Sequence, residues 1–213
     1  LAGLQVPVCR EDPIKGAMVN VIGTLNVLET ARALKGQVQR IVYASSGAVY
    51  GMEEESGSGL VSNDAILKPL THYGVFKQCN EGNARVSYLD YGITSIGLRP
   101  WTVYGPGRDF GLTSDPTKAV KAAMLGREFV INYGGRNNMQ YVADTAEIFI
   151  RCTQADYEGA DAFSIRGDVV TIDEVIASIE SVIPGSAGLV THTTTEIPIA
   201  ADLDGSRLEN DIG

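Results

Sequence analysis

Positive charge is scarce in this sequence. Its 213 residues include 17 lysines and arginines against 26 aspartates and glutamates, which gives a formal net charge of −9. Binding to nucleic acid or to an anionic membrane surface requires clustered basic side chains, and the sequence has no basic stripe of that kind. We therefore expect no nucleic-acid partner and no membrane partner.

Cysteine and histidine are too few and too scattered to build a structural site. Cys9, Cys79 and Cys152 lie far apart without a CxxC pair, which predicts three free thiols in a reducing cytoplasm rather than a disulfide or a zinc site. His72 and His192 are isolated from each other, so no metal site is expected. A run of about 18 apolar residues is also missing, and the first residues lack the pattern of a signal peptide, so no membrane span or leader is predicted.

The remaining pattern alternates helices with strands. Apolar residues at helical spacing predict helices over 14–34, 71–91, 116–125, 144–154 and 171–183. Short apolar or β-rich runs predict strands over 40–44, 93–98, 129–133, 162–166 and 190–195. This alternation indicates an α/β fold with a mostly parallel sheet, whose ligands bind beyond the carboxyl ends of the strands. Ser45 and Ser46 should then lie beside Arg99 and Pro100 at one edge of the site.

The strongest chemical signal is the spacing of Tyr73 and Lys77. Residues i and i+4 share one face of a helix, so the phenol and the ammonium can address the same point. A free phenol has a pKa of about 10, and a neighbouring lysine lowers the phenol pKa and favours the phenolate. Ser46 ends a predicted strand, where its hydroxyl can reach both a substrate oxygen and Tyr73; a turn or helix-cap role is the alternative.

With these motifs the sequence resembles the extended short-chain dehydrogenases, the NAD-dependent sugar epimerase/dehydratase family. The resemblance rests on segments in the family's order: residues 2–4 (AGL), 20–28 (NVIGTLNVL), 42–51 (VYASSGAVYG), the YxxxK pair, 98–107 (LRPWTVYGPG) and 141–146 (YVADTA). It implies a partial Rossmann-like, doubly wound parallel sheet that lacks its first βαβ units, with a smaller C-terminal α/β substrate lobe. The implied boundaries are 1–103 for the dinucleotide-binding part and 104–213 for the lobe, with 140–166 returning to the sheet.

The resemblance also implies roles for individual residues. Tyr73 is the expected general acid/base, Lys77 would bind the nicotinamide ribose and lower the pKa of Tyr73, and Ser46 would orient the substrate oxygen. The implied contacts to NAD, with NADP not excluded, come in addition from Leu1, Ala2, Gly3, Leu4, Asn20, Ala44, Ser45, Pro100 and Val103. For Asn20, capping of local backbone is the alternative. The expected substrate-binding residues are Ser46, Gly47, Thr102, Arg108 and Arg136, where the two arginines are alternatively solvated surface charges.

Departures from the family pattern narrow the expected reaction. The sequence starts at Leu1 without a methionine and stops at Gly213 without a terminal helix pattern, so we expect both ends to be cut. No GxGxxG motif is present, so we expect this chain to bind a dinucleotide poorly or not at all. Gly47 and Ala48 stand where dehydratases carry acidic residues, which argues against 4,6-dehydration. Thr102 and Asn137 stand near the places where nucleotide-sugar enzymes of the family use Asn and Arg, which favours a smaller polyol, sugar acid or hydroxy acid.

The sequence thus predicts a cytoplasmic NAD-dependent dehydrogenase or epimerase that acts on a sugar-like alcohol. The choice between the two reactions stays open, and nucleotide-sugars remain within the expected substrate class. The resemblance suggests a homodimer through the helices 14–34 and 71–91. The alternative is a catalytically incompetent fragment or an interaction module that cannot bind dinucleotide by itself.

Overall fold

The computed structural model describes residues 3–52 and 59–213, so the predicted contacts of Leu1 and Ala2 lie outside the described residues. Its α-helices, in chain order, are α1 (Val6–Glu11), α2 (Pro13–Ala17), α3 (Gly23–Ala33), α4 (His72–Tyr91), α5 (Asp115–Met124), α6 (Val142–Gln154), α7 (Ile172–Val182) and α8 (Ser206–Asp211). Its strands are β1 (Ile41–Ala44), β2 (Leu60–Val61), β3 (Ser95–Arg99), β4 (Thr102–Tyr104), β5 (Phe129–Ile131), β6 (Arg136–Tyr141), β7 (Ala160–Ser164), β8 (Asp168–Thr171), β9 (Val190–His192) and β10 (Asp202–Leu203).

The predicted helix over 14–34 forms in three parts. α2 begins after Asp12, whose side chain accepts a hydrogen bond from Lys15 N at 2.9 Å, and a π-helical turn over Met18–Ile22 joins α2 to α3. A π turn inserts one extra residue into each helical hydrogen-bond ring and shifts the side chains around the axis. Asn20 lies within this turn and is buried.

The central layer is a parallel sheet in the order β1-β3-β7. Every residue of β3 is buried, as expected for the middle strand of a covered parallel sheet. Ala44 is paired with Leu98, so β1 and β3 end at the same edge, and Ser45 and Ser46 follow there beside Pro100. The predicted α/β class with parallel strands is confirmed.

The described residues form three further sheets, of which one has three strands and two have two strands. β4 pairs with β6 in parallel and β6 pairs with β8 antiparallel, while β5 pairs with β9 and β10 pairs with β2, both in parallel. β4, β6 and β8 were not predicted. β6 escapes an apolar-pattern search because its buried residues include the amides Asn137, Asn138 and Gln140.

The helix that carries the YxxxK pair has clear signals at both ends. The Thr71 hydroxyl caps the start of α4 by accepting a hydrogen bond from Gly74 N at 3.1 Å. Gly92 ends the helix in the left-handed region with φ of 68°, which favours glycine. These caps explain why the prediction of 71–91 falls within a residue of the observed helix.

The buried apolar side chains form separate clusters. One cluster joins β3, β7 and α6 through Ile96, Leu98, Cys152 and Phe163. A second lies entirely after residue 104 and includes Ile131 from β5 and the α7 residues Ile172 and Ile179. The predicted division of the chain at 103/104 stays a prediction.

Two kinds of feature are not found in the described part of the chain. Within 3–52 and 59–213, no helix combines the length and the apolar character needed to cross a bilayer. The same residues contain no group of three or more His, Cys, Asp or Glu side chains placed to hold a metal ion.

Candidate active site

A cavity of about 700 Å³ opens at the carboxyl ends of β1 and β3. It brings together six of the residues singled out from the sequence, and these are Ala44, Ser46, Tyr73, Pro100, Val103 and Arg108. They come from the ends of β1 and β3, from α4, from β4 itself and from the segment after β4. The position agrees with the rule that ligands of parallel α/β sheets bind beyond the carboxyl ends of the strands.

Ser46 and Tyr73 meet at the wall of this cavity. The Ser46 hydroxyl accepts a hydrogen bond from Ala48 N at 3.1 Å, which caps the short 3-10 helix over Gly47–Val49. The Ser46 hydroxyl also lies near enough to the Tyr73 side chain to lower the phenol pKa. Ser46 therefore combines the two roles that the sequence offered as alternatives, the cap and the neighbour of the phenol.

Burial dominates the electrostatics of Tyr73. Removal from water raises the pKa of the phenol above its ordinary value, because the low-dielectric surroundings disfavour the phenolate. The hydrogen bond from Ser46 and the positive charge of Arg108 act in the opposite direction. The chain alone thus holds Tyr73 as a neutral phenol with two groups in place to stabilise its ionised form.

Lys77 lies one helical turn from Tyr73, and its ammonium also contacts the end of β1. Its Nζ donates a hydrogen bond to the carbonyl oxygen of Ala44 at 2.6 Å and lies 5.5 Å from the centroid of the Tyr73 ring. Burial lowers the pKa of Lys77 to about 8. Arg108 is a cation whose charge lowers the pKa of Tyr73 in this structure, and the predicted effect of Lys77 on the phenol stays a prediction.

Arg108 reaches the cavity because the chain turns back after β4. Its Nη1 donates to the carbonyl oxygen of Phe110 at 2.7 Å, and its Nη2 donates to the Thr113 hydroxyl at 3.2 Å. Gly111, with φ of 100°, lets this turn pass against Gln5, where a side chain would overlap the Gln5 amide. Of the two arginines predicted to bind substrate, Arg108 is the one in the cavity wall.

Arg136 lies outside this cavity, and the prediction that it binds substrate stays a prediction. It begins β6, is exposed, and forms an ion pair with Asp202 at 4.0 Å. Ser45 also turns away from the cavity: its hydroxyl donates to Glu81 Oε1 at 2.5 Å and the residue is buried. A cofactor contact through the Ser45 side chain is therefore not available in this arrangement.

Gly47 and Thr102 are packing residues rather than cavity residues. Gly47 N donates to the carbonyl oxygen of Pro100 at 2.8 Å, and a Cβ at this position would lie 2.9 Å from the Trp101 ring. Thr102 is completely buried in β4, with its hydroxyl 3.4 Å from Asn137 Oδ1. Neither residue lines this cavity, and the predicted substrate contacts of both stay a prediction.

Asn20 holds the backbone at Leu4. Leu4 N donates to Asn20 Oδ1 at 2.7 Å, and Asn20 Nδ2 donates to the Leu4 carbonyl oxygen at 2.9 Å. Gly3 runs close by, since a Cβ there would lie 3.2 Å from Asn20 Oδ1. This is the local-backbone role given as the alternative. Contacts of Gly3, Leu4 and Asn20 with a cofactor stay a prediction.

The sequence reasoning missed a buried ion pair behind the cavity. Arg99 Nε and Nη2 donate to the two carboxylate oxygens of Glu81, each at 2.8 Å, and Arg99 Nη1 donates to the Tyr50 hydroxyl at 2.6 Å. Glu81 lies on α4 one turn beyond Lys77, and Ser45 precedes Ser46. The pair therefore ties the helix that carries Tyr73 to the ends of both strands. The available signal was a charged residue at the end of an apolar strand.

Comparisons with known proteins agree with this geometry. The family model described as the NAD dependent epimerase/dehydratase family matches residues 2–165. An uncharacterized 37.6 kDa protein of Escherichia coli O111:H- is 37% identical over 152 residues, which cover 70% of this chain and 43% of the relative. The UDP-glucose 4-epimerase of Mycolicibacterium smegmatis is 29% identical over 212 residues, or 97% of this chain and 65% of the relative.

A solved structure is also similar to this chain. The UDP-glucose 4-epimerase of Thermus thermophilus, in complex with NAD, superposes with a TM-score of 0.84 at 26% identity, covering 99% of this chain and 69% of the other. The chain spans less than half the length of the Escherichia coli relative. On the family match, which extends over most of the sequence, the chain belongs to the NAD dependent epimerase/dehydratase family, as its motifs predicted.

Proposed function

We propose that this chain carries the proton-transfer site of an NAD-dependent dehydrogenase or epimerase that acts at a carbinol carbon of a sugar-like substrate. The observation that carries the proposal is the Tyr73 phenol beside Ser46 in the wall of an open cavity, with the Lys77 ammonium under its ring. The 4-epimerase from Mycolicibacterium smegmatis supports the same class of reaction. The activity is proposed for the whole protein to which these 213 residues belong.

The residues around Lys77 fit the nicotinamide end of NAD. Ala44, Pro100 and Val103 give the cavity a small apolar wall suited to a flat ring. An ammonium has three N–H donors, and the Lys77 Nζ uses one of them on the Ala44 carbonyl oxygen, so the side chain can also donate to ribose hydroxyls. When bound, NAD supplies the acceptor and the donor of the hydride.

The protein's own residues accept and return the proton of the substrate hydroxyl. In the oxidising direction the substrate hydroxyl gives its proton to the Tyr73 oxygen, and in the reducing direction Tyr73 returns it. Ser46, whose hydroxyl lowers the pKa of Tyr73, would hold the substrate oxygen in line. The oxidising direction needs the phenolate, which burial opposes and which Ser46 and Arg108 favour.

The assembly and the location are further parts of this proposal. Exposed apolar side chains on the helices, including Ile14, Met18, Val86 and Leu89, support a homodimer through 14–34 and 71–91. Three free cysteines support a cytoplasmic location. A dinucleotide-binding part over 1–103 and a substrate lobe over 104–213 are supported by the apolar cluster that lies wholly within the second part.

The test is a reaction assay with the whole protein, NAD⁺ and a panel of polyols, sugar acids and sugars. A dehydrogenase accumulates reduced nicotinamide, which is followed by absorbance, whereas an epimerase leaves the cofactor oxidised and forms an epimer that NMR detects. A protein that binds NAD⁺ in a calorimetric titration but forms neither product would contradict the proposal. The same titration on the 213-residue chain tests the prediction of poor dinucleotide binding, which a tight complex would overturn.

A further inference from the structure

One face of α4 holds the end of β1 through a row of side chains. Tyr73, Lys77 and Glu81 follow one another at intervals of four residues, which places them on the same face of the helix. Lys77 Nζ donates a hydrogen bond to the Ala44 carbonyl oxygen at 2.6 Å, and the Ser45 hydroxyl donates to Glu81 Oε1 at 2.5 Å. The second bond is charge-assisted and shielded from water, since the Glu81 side chain is 11% exposed and Ser45 is 1% exposed.

The residue that follows Ser45 lies beside the phenol. Ser46 and Tyr73 both line the cavity, and the Ser46 hydroxyl lowers the pKa of Tyr73. Of the residues that the structure describes, Ser45 and Glu81 are not part of the cavity wall. The hydrogen bond between these two residues therefore holds the backbone next to Ser46 from outside the cavity.

The same carboxylate also holds the end of β3. Arg99 Nε and Nη2 donate to Glu81 Oε1 and Oε2, each at 2.8 Å. Pro100, which follows Arg99, lines the cavity, and its carbonyl oxygen accepts a hydrogen bond from Gly47 N at 2.8 Å. Glu81 thus binds the residue that precedes a cavity residue on each of two neighbouring strands, and it fixes both strand ends relative to α4.

Glu81 acts on the phenol through position and not through its own charge. In the part of the chain that the structure describes, the side chains that shift the pKa of Tyr73 in addition to burial are Ser46, Arg108 and Cys9. Glu81 does not belong to this set. A change at Ser45 or Glu81 is therefore expected to reach Tyr73 by moving Ser46.

We propose that Ser45 and Glu81 are positioning residues for proton transfer, whose hydrogen bond keeps the Ser46 hydroxyl in place beside Tyr73 and a substrate oxygen. This inference rests on the proposed function and deepens it, because it gives a role to two residues outside the cavity. A displacement of about 1 Å at a reacting group can lower a rate by about 100-fold. Loss of the hydrogen bond should therefore slow the reaction more than it weakens binding.

The first test needs no ligand and measures the pKa of Tyr73 by NMR titration of ¹³C-labelled tyrosine in the whole protein. Because Ser46 lowers this pKa, Ser45→Ala should raise it, and adding Ser45→Ala to Ser46→Ala should raise it no further. Ser186→Ala is the matched control: it removes a hydroxyl that is also 1% exposed and donates to the Ile183 carbonyl oxygen at 2.7 Å, and it should leave the pKa of Tyr73 unchanged. An unchanged pKa in Ser45→Ala, or additive increases in the double variant, would overturn the inference.

The second test is turnover with NAD⁺ and those members of the panel of polyols, sugar acids and sugars that the wild-type protein converts. We expect Ser45→Ala to lower kcat by about 10- to 100-fold and to leave KM within about threefold of wild type. Ser45→Cys keeps a weaker donor, so its kcat should lie between the two, and it replaces Ser45→Ala if that variant does not fold. Wild-type kcat in both Ser45 variants, with Tyr73→Phe inactive, would contradict this inference only. Retained turnover in Tyr73→Phe would contradict the proposed function only, since the effect of Ser45 on the phenol pKa is measured without turnover.

Discussion

The two sides of the cavity differ in how their polar groups are hydrogen-bonded. On the side of α4, β1 and β3, Ser45 and Arg99 bond to Glu81, and Lys77 bonds to Ala44, while Asn80 Oδ1 is buried without a partner in the described structure. On the side of residues 105–114, Arg108 Nε is buried without a partner in the described structure. A proton-transfer group needs a fixed position, whereas a recognition group needs bonding capacity left for its ligand. Under the proposed function, the first side would position the acid/base, and the second side would leave donor capacity for a ligand.

The largest effect is expected from breaking the fixed side. Glu81→Gln removes the negative partner of Arg99, and both side chains are nearly buried, at 11% and 7% exposure. An unpaired buried charge should lower the free energy of unfolding by about 3–5 kcal/mol. Glu147→Gln, in an ion pair with side chains 55% and 63% exposed, is the matched control and should cost under about 1 kcal/mol. Urea denaturation of both variants checks this, and similar losses would show that the buried pair does not fix α4.

A smaller effect is expected from adding one methyl group to Gly74, where α4 packs against the segment that contains Ser46. A Cβ on Gly74 would lie 2.2 Å from the carbonyl oxygen of Ala48, so Gly74→Ala must push Tyr73 away from Ser46. We expect a loss of about 1–3 kcal/mol in unfolding free energy together with slower turnover. Gly82→Ala adds the same methyl group on the same helix with no atom within 4 Å, and should stabilise by up to about 1 kcal/mol. Equal thermal shifts for the two variants would refute the close approach.

A similar or smaller effect concerns the pH dependence of stability through Lys77. Its folded-state pKa of about 8 lies below the ordinary value of 10.5, so the unfolded chain holds this proton more tightly. Stability contributed by this group should therefore rise as the pH rises from about 8 to 10.5. Compared with Lys77→Met, the wild-type chain should gain about 1–3 kcal/mol across this window in denaturation experiments. A constant difference between the two proteins over the same range would rule out the depressed pKa.

The smallest expected effect is on the pKa of Tyr73, which depends on the charge of Arg108 across the cavity. The positive charge of Arg108 lowers the pKa of the Tyr73 phenol, so Arg108→Gln should raise it. Titration of ¹³C-labelled tyrosine by NMR, with the Tyr73 signal assigned from Tyr73→Phe, measures the change. A phenol that titrates at the same pH with and without Arg108 would show that the two sides are electrostatically independent.

The sequence was sufficient where apolar periodicity and local caps decide the structure. α4 and β1 were predicted because their patterns and their end signals are local, and the YxxxK spacing then placed Tyr73 and Lys77 on one helical face. β6 was missed because its interior positions are amides: Asn138 accepts from Gly167 N at 2.8 Å, and Gln140 donates to the Ile165 carbonyl at 2.7 Å. Those bonds are made between segments far apart in the sequence.

In the candidate site, too, contacts between distant segments could not be predicted from the sequence. Thr102 and Arg136 were chosen by their neighbourhood in the motif, but strand direction buries Thr102 and the ion pair with Asp202 holds Arg136 at the surface. For Arg108 the sequence left open substrate binding or a solvated surface charge. The turn through Gly111 brings it to the cavity. Long-range pairing, such as that of Glu81 with Arg99, leaves no periodic pattern in the sequence.

The most direct test of the central claim is the turnover of Tyr73→Phe in the whole protein with NAD⁺. The change removes one oxygen and should lower the rate by about 100- to 10,000-fold, because the proton loses its acceptor. Binding of the substrate and thermal stability should stay close to wild type, and Tyr88→Phe on the same helix should retain activity. A folded Tyr73→Phe protein that turns over at the wild-type rate would contradict the assignment of Tyr73 as the acid/base.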